Sequence, residues 1–299
     1  MADLGYDGKV AIITGAGGGL GRQHALLLAS RGARVVVNDL GGSVAGEGAD
    51  AGPAETCAKV IRDLGGEAVS DASSVSTPEG GEQIVKTALD AYGRVDIVIN
   101  NAGILRDKTF HNLTPDLLNP VLDVHLKGAF YVTRPAWVQM REQGYGRIVN
   151  TSSGSGVLGN FGQSNYGAAK MGLVGLTRVL ANEGAKYNIK VNAIAPIART
   201  RMTEELMGAA ADKLDPELVS PIVAWLAHED CPVTGEIYTV GGGRVARFFI
   251  GMTTGYYNPK LTLEDVRDHF AEIRDEAGYT VPANPGEEMQ LLFKMISGS

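Results

Sequence analysis

Seven short runs of apolar, largely β-branched residues recur along the chain, separated by longer stretches with helical spacing. The runs are KVAIIT (9–14), RVVVN (34–38), EAVS (67–70), RVDIVIN (94–100), GRIVNT (146–151), KVNAIA (190–195) and GEIYTV (235–240). Each is apolar at nearly every position rather than at alternate ones, as expected of strands buried on both faces. Segments such as LGRQHALLLASRG and EGGEQIVKTALDAYG lie between them. Strand and helix alternating in this way predict an α/β fold, a doubly wound parallel sheet of about seven strands. The alternation stops near Gly243. Residues 244–299 hold an aromatic patch (RFFIGMTTGYYNP), a helical pattern (TLEDVRDHFAEIRDEAGY) and a last amphipathic segment (PGEEMQLLFKMIS). The expected division is therefore 1–243 and 244–299, the second part an extension packed on the core or on a second subunit. At roughly 55 residues it lies near the lower limit for folding alone.

Composition narrows the partners. A net charge of -7 argues against nucleic acid as a general partner. No stretch approaches the length of a membrane span, and MADLGYDGKVAIITG does not read as a signal peptide. The last residues, ISGS, are not an SKL-type peroxisomal address, so the expectation is a cytoplasmic protein. Cys57 and Cys231 are too few and too far apart for a disulfide framework or a zinc site, and no metal is expected. Gly is abundant, 40 of 299 residues or about 13% against a usual share of roughly 7%. These glycines are dispersed among apolar segments, which points to close backbone approaches.

The first strand runs directly into TGAGGGLG and then a helix. Gly15 permits a tight turn, Gly19 with its neighbour Leu20 brings backbone to a pyrophosphate, and Gly21 lets the helix start pack close to the sheet. The helix N-terminus then offers unpaired N–H groups to phosphate. The second strand ends at Asp39, 24 residues beyond Gly15, near the separation expected for an acid on the adenosine ribose. A carboxylate there repels a 2′-phosphate, and no Lys or Arg follows until Lys59, so NAD is expected rather than NADP. Asp71, after the third strand, is a candidate for the adenine edge. Asn100, Asn101, Ala102 and Gly103 end the fourth strand on the cofactor side, where Asn serves a turn as readily as a site.

Tyr166 and Lys170 lie four apart in SNYGAAK, on one face if the segment after Asn165 is helical, with Ser164 or Asn165 as cap. Ser152 and Ser153 lie in the loop upstream. Taken alone, this pair reads equally as a solvated polar face.

TGAGGGLG, NNAG, the serine run, Y-x-x-x-K and NAIAP occur in the order of the short-chain dehydrogenase/reductase family, and residues 7–243 resemble it. VVVNDLGG, NNAGILRDK, VHLKG, YGRIVNTSSGSGVLGNFGQSNYGAAK and IAPIARTRMT are similar in finer detail to its (3R)-hydroxyacyl-CoA dehydrogenases. The resemblance implies a Rossmann fold and NAD-dependent oxidation of a secondary alcohol, most of all a (3R)-3-hydroxyacyl-CoA, including a steroid thioester. It implies Tyr166 as proton donor or acceptor to the reacting oxygen, Ser153 (13 residues earlier) on the substrate oxygen, and Lys170 on the tyrosine and the nicotinamide ribose. A phenol near pKa 10 is a poor base at neutral pH, so the ammonium and the positive nicotinamide are expected to lower it.

The chain departs from the family pattern twice. His125 stands where many members have Asn in a proton relay, and Ile197 follows the proline where Gly is usual. Ile197 backbone and Thr200 are the expected carboxamide contacts. Leu158, Phe161, Met202, Leu206 and Met207 are expected to wall the substrate site, with Arg106, Lys108, Arg199 and Arg201 as neighbours for CoA phosphates. Small residues Gly167, Ala168, Gly172 and Gly175 suit helix pairing in a homo-oligomer, at least a dimer, or packing on the chain's own sheet. Rival readings are a 17β-hydroxysteroid dehydrogenase on free steroid, a 3-oxoacyl reductase, and a non-catalytic dinucleotide sensor or scaffold.

Overall fold

The computed structural model describes residues 4–199 and 212–297. Eight strands form one sheet in the order β3-β2-β1-β4-β5-β6-β7-β8. Strand β1 (Val10–Thr14) lies parallel between β2 (Arg34–Asn38) and β4 (Ile97–Asn100). β3 (Glu67–Asp71) flanks β2, and β5 (Gly146–Thr151), β6 (Ile189–Pro196) and β7 (Ile237–Gly241) continue the parallel ladder beyond β4. Chain order reverses between β1 and β4, and in such sheets the crevice at the carboxyl ends of the diverging strands receives ligands.

Alternation along β1 explains the layering. Ala11 and Ile13 face one apolar cluster with Leu28 of α1 (Gly19–Ser30), Ile61 of α2 (Gly52–Asp63) and Val223 and Leu226 of the helix Ser220–Ala227. Val10 and Ile12 face the opposite cluster, with Ile84 and Ala88 of α3 (Pro78–Tyr92) and Val132 and Met140 of α4 (Gly128–Gln143). Every β1 residue is buried, so both faces of the strand carry apolar side chains.

The eighth strand, β8 (Arg244–Phe248), is absent from the sequence reading. Gly242 and Gly243, at φ +55° and +80°, form a two-residue turn of the kind that joins antiparallel strands. β8 therefore runs back along β7. Its sequence, RVARF, lacks the continuous apolar run of the interior strands because it lies at the edge.

The chain divides into compact units Met1–Arg247 and Phe248–Ser299. Within the second, Thr262 and Asp265 form a reciprocal capping box at the start of helix Leu263–Asp268. Phe249 stacks on Tyr279, with ring centroids 5.5 Å apart, and helix Pro285–Ser297 closes the unit. Among the described residues no helix is long and apolar enough to cross a membrane.

Candidate active site

The loops at the carboxyl ends of β1, β2, β4 and β5 surround a cleft of about 470 Å³. Gly15, Gly19 and Leu20 line it at one end, and Ser153, Tyr166 and Lys170 at the other. Asp39, Asn101, Ala102, Gly103 and His125 also face it.

The glycines hold the first loop close to its neighbours. Gly15 has φ +65°, and a Cβ there would stand 2.8 Å from Ala102 Cα. A Cβ on Gly21 would stand 2.3 Å from the Gly15 carbonyl oxygen, so α1 can begin this close to β1 only without a side chain. Gly18 has open space where a Cβ would be, on the cleft side. Asn101 ties the loop down, donating from Nδ2 to the Thr14 and Gly15 carbonyls at 3.0 and 3.1 Å. Thr14 Oγ1 accepts from Asn101 N and Ala102 N, at 3.0 and 3.1 Å. The sequence reading missed Thr14; its place directly before Gly15 was the available signal.

Asp39 accepts from Gly17 N through Oδ2 at 2.8 Å and from Gly41 N through Oδ1 at 2.7 Å. Its carboxylate thus fastens the glycine loop to the end of β2 while facing the cleft. Asp71 is placed otherwise than expected. Its Oδ1 accepts from Asn38 Nδ2 and Ser73 N, and its Oδ2 from Thr87 Oγ1. That carboxylate braces β2 against α3, and Ser73–Ser76 line the cleft in its stead. Ile197 also differs: its N–H donates to the Val240 carbonyl at 2.8 Å, and Pro196 and Ala198 are the residues of that turn that face the cleft. Thr200, Arg201, Met202, Leu206 and Met207 lie outside the described residues.

Helix α5 (Ser164–Gly184) puts Tyr166 and Lys170 on one face. Its N-cap is Gln163, without a side-chain cap bond, rather than Ser164 or Asn165. Asn165 is fully buried and anchors the helix start, donating to the Arg106 and Leu117 carbonyls, each at 2.9 Å. Ser153 caps the short helix Gly154–Val157, its Oγ accepting from Ser155 N at 3.1 Å, and its side chain hydrogen-bonds that of Tyr166. Ser152, also at the cleft, donates from Oγ to the Lys170 carbonyl at 2.8 Å. Lys170 Nζ donates to the Thr151 carbonyl at 2.5 Å and stands 5.4 Å from the Tyr166 ring centre.

Burial dominates the electrostatics. It raises the Tyr166 phenol above its ordinary value; the Ser153 hydrogen bond opposes this, and the Asp107 charge adds to it. Burial likewise brings the Lys170 ammonium down to about 7. The expectation of a lowered phenol therefore does not hold for the protein groups alone, because desolvating a phenolate outweighs the help available from them. His125 packs edge-on against Tyr166, 5.1 Å between ring centres. Ile104 N donates to its Nε2 at 3.0 Å, and the Ile104 carbonyl lies 2.8 Å from the same nitrogen. Burial first, and then Lys170, holds the ring neutral by lowering its pKa well below the ordinary range. A cavity of about 10 Å³ lies between His125, Asn100, Thr14 and Lys170. His125 Nδ1 and Asn100 Oδ1 have no hydrogen-bond partner in the protein.

The remaining candidates separate. Leu158 and Phe161 are exposed and do not line the cleft. The Arg106 guanidinium is engaged by backbone carbonyls, and Arg199 pairs with Asp212 at 3.1 Å. Gly172 packs on Leu126 of the same chain, whereas Gly175 faces open space. Cys57 and Cys231 are buried free thiols. Among the described residues no group of His, Cys, Asp and Glu is placed to hold a metal.

A nicotinamide dinucleotide suits this cleft. The open face of Gly18 and the exposed start of α1 would take a pyrophosphate, and Thr151 Oγ1, buried and without a protein partner, lines the far end. A sheet wound in this order, with a glycine-rich first loop and a Ser–Tyr–Lys set at the crevice, is the architecture of a dinucleotide-dependent oxidoreductase. The chain belongs to the short-chain dehydrogenase family, whose model matches residues 9–210. A short-chain type dehydrogenase/reductase of Mycobacterium tuberculosis, Rv0148, is 51% identical over 92% of this chain and 96% of its own. Mouse peroxisomal multifunctional enzyme type 2 is 46% identical over 98% of this chain, which spans only 41% of that enzyme. The full-length Drosophila melanogaster enzyme superposes with a TM-score of 0.82 at 36% identity, over 99% of this chain and 50% of its own. Hydroxyacyl-CoA dehydrogenase ChsB1 of M. tuberculosis is 36% identical over 91% of this chain and 92% of its own.

Proposed function

We propose that the chain is an NAD-dependent dehydrogenase that oxidises a (3R)-3-hydroxyacyl-CoA, steroid thioesters included, in β-oxidation of acyl or sterol side chains. One observation carries the reading: Ser153, Tyr166 and Lys170 converge at one end of a cleft whose other end holds Asp39 beside the glycine loop. Ser153 would hold the substrate oxygen, Tyr166 would take the hydroxyl proton, and Lys170 Nζ would stabilise the phenolate and bind the nicotinamide ribose. Nicotinamide, when bound, supplies the hydride acceptor. The Asp39 carboxylate, with no cation between it and Lys59 in the sequence, favours adenosine with a free 2′-hydroxyl. The acyl-CoA class is supported by the name of the ChsB1 relative, which spans nearly the same length.

The reading extends to assembly and place. Ala168, Met171, Gly175 and Val179 are exposed along one face of α5, a surface suited to a second copy in a homo-oligomer. The first unit would be the catalytic domain and the second its extension, in a cytoplasmic protein that needs no nucleic acid or membrane.

The test follows NADH formation by purified protein offered (3R)- and (3S)-3-hydroxyacyl-CoA, free 17β-hydroxysteroid, and NAD or NADP. Turnover of the (3R) thioester with NAD is expected, and Tyr166→Phe should lower kcat/KM by about a thousandfold. Turnover of free steroid alone, or a preference for NADP, overturns the substrate or the cofactor reading respectively.

A further inference from the structure

Between β2 and α2 the chain makes a loop pinched at its base. Asp50 N donates to the Leu40 carbonyl at 2.8 Å, and a Cβ on Gly41 would fall 1.8 Å from the Asp50 carbonyl oxygen. Ser43 N donates to the Glu47 carbonyl at 2.9 Å within it, which makes the loop compact. Leu40, Gly42, Ser43, Val44 and Gly46 line the cleft.

The tip of this loop is fastened to the segment that leaves β4. Leu105 N donates to the Val44 carbonyl at 2.9 Å, and Arg106 Nε donates to the Ala45 carbonyl at 2.8 Å. Arg106 Nη1 meanwhile donates to the Asp116 carbonyl at 2.8 Å, which fixes the guanidinium from its other side. The Arg106 carbonyl receives Asn165 Nδ2 at 2.9 Å, so the same residue is tied to the start of the catalytic helix. Gly46, at φ +80°, sits so close that a Cβ would lie 3.0 Å from Ile104 Cδ1.

We propose that Arg106 is a positioning residue for the adenosine half of the cofactor, holding the Leu40–Asp50 loop as a strap across the cleft. The inference rests on the dinucleotide reading above. The strap begins at Asp39, the residue assigned to the adenosine ribose, and is anchored beside Ile104, next to His125. A ligand reaching from the glycine loop to Tyr166 would run along the whole strap from Asp39 to its tip, whereas one confined to the nicotinamide end would meet only the tip beside Ile104. Loss of the guanidinium leaves the tip with its Leu105–Val44 backbone bond, and the dinucleotide departs faster. The chemical groups at Tyr166 are unaltered.

The test compares full-length wild type with Arg106→Met, which keeps the aliphatic stem, and Arg106→Lys, which restores one donor. NADH and reduced nicotinamide mononucleotide, which lacks adenosine, are titrated by fluorescence. Kinetics with the (3R) thioester follow at saturating NAD. Arg106→Met is expected to weaken NADH on the order of tenfold, leave the mononucleotide within about twofold, and leave kcat unchanged or higher, with Arg106→Lys intermediate. Equal weakening of both nucleotides, unchanged NADH affinity, or a kcat that falls in step overturns the proposal. If Arg106→Met does not fold, Gly46→Ala disturbs the tip from the other side. The same NADH-selective loss supports the strap, and unchanged affinity overturns it. Wild-type titration with NADH and NADPH separates the two claims: loss of the NAD reading alone leaves the Arg106 ratio to be measured with NADPH. A protein that binds neither overturns both.

Discussion

Lys170 is buried, its pKa brought to about 7 against an ordinary 10.5, so folding works against its charge. The unfolded chain holds that proton up to about 10.5, while the native state gives it up near 7. Native stability is therefore reduced below pH 7 by this group, and the deficit shrinks as pH rises toward 10.5. Lys170→Met is expected to stabilise the protein at pH 7.5 by a few kcal/mol, with the gain fading toward pH 10, as thermal unfolding across pH would record. NADH formation is expected to be lost in the same variant. That Tyr166 and Lys170 share a face was readable from spacing, because one turn of helix does this whatever surrounds them, whereas the roles proposed for them came from the family resemblance and not from the pair. The roles of Asp71, Ile197 and Arg106 were not readable. Their polar atoms are spent on partners set by tertiary contact, such as Ala45, 61 residues from Arg106, which no local pattern encodes.

At the scale of elements, the start of α1 rests on the close approach of two loops. Gly21→Ala would put its Cβ 2.3 Å from the Gly15 carbonyl oxygen and 2.6 Å from Asn101 Nδ2. The backbone must give way, so the variant should unfold about 1–3 kcal/mol more easily. It should also bind NADH more than tenfold more weakly, by denaturant unfolding and NADH titration respectively, because the displaced loop carries Gly18 and Gly19. The interior strands were legible because burial on both faces demands unbroken apolar runs. β8 was not, since an edge strand carries Arg244 and Arg247 without conflict. The π-helical turn Asp123–Lys127, which brings His125 beneath Tyr166, also had no signature in VHLKG.

Across the whole molecule, two buried imidazoles work against folding in acid. His24 is bonded to Ser220 Oγ at 2.8 Å and lowered to about 3 by burial, and His125 is lowered as well. The unfolded chain takes up these protons below pH 6.5 while the native state refuses them, so stability falls as pH drops from about 6.5 toward about 3. Replacing His24 by Gln should reduce the slope of unfolding free energy against pH in that window by up to one proton, measured by denaturant titration at several pH values. A shallower slope that is unaffected by the variant would assign the loss of stability in acid to other groups.

The turn at Gly242–Gly243 has an effect beyond connectivity. By sending the last strand backward it ends the sheet on β8, which has no further strand beside it among the described residues and so forms an edge. Arg244 and Arg247 stand exposed on that strand, with Val245 between them at 48% exposure. Arg247 is held by Glu236 at 3.3 Å, so two copies meeting edge to edge there would meet chiefly the exposed charge of Arg244. The margin of the sheet thus discourages the growth of fibrils from the folded protein, and substituting Arg244 by an apolar residue removes part of that guard.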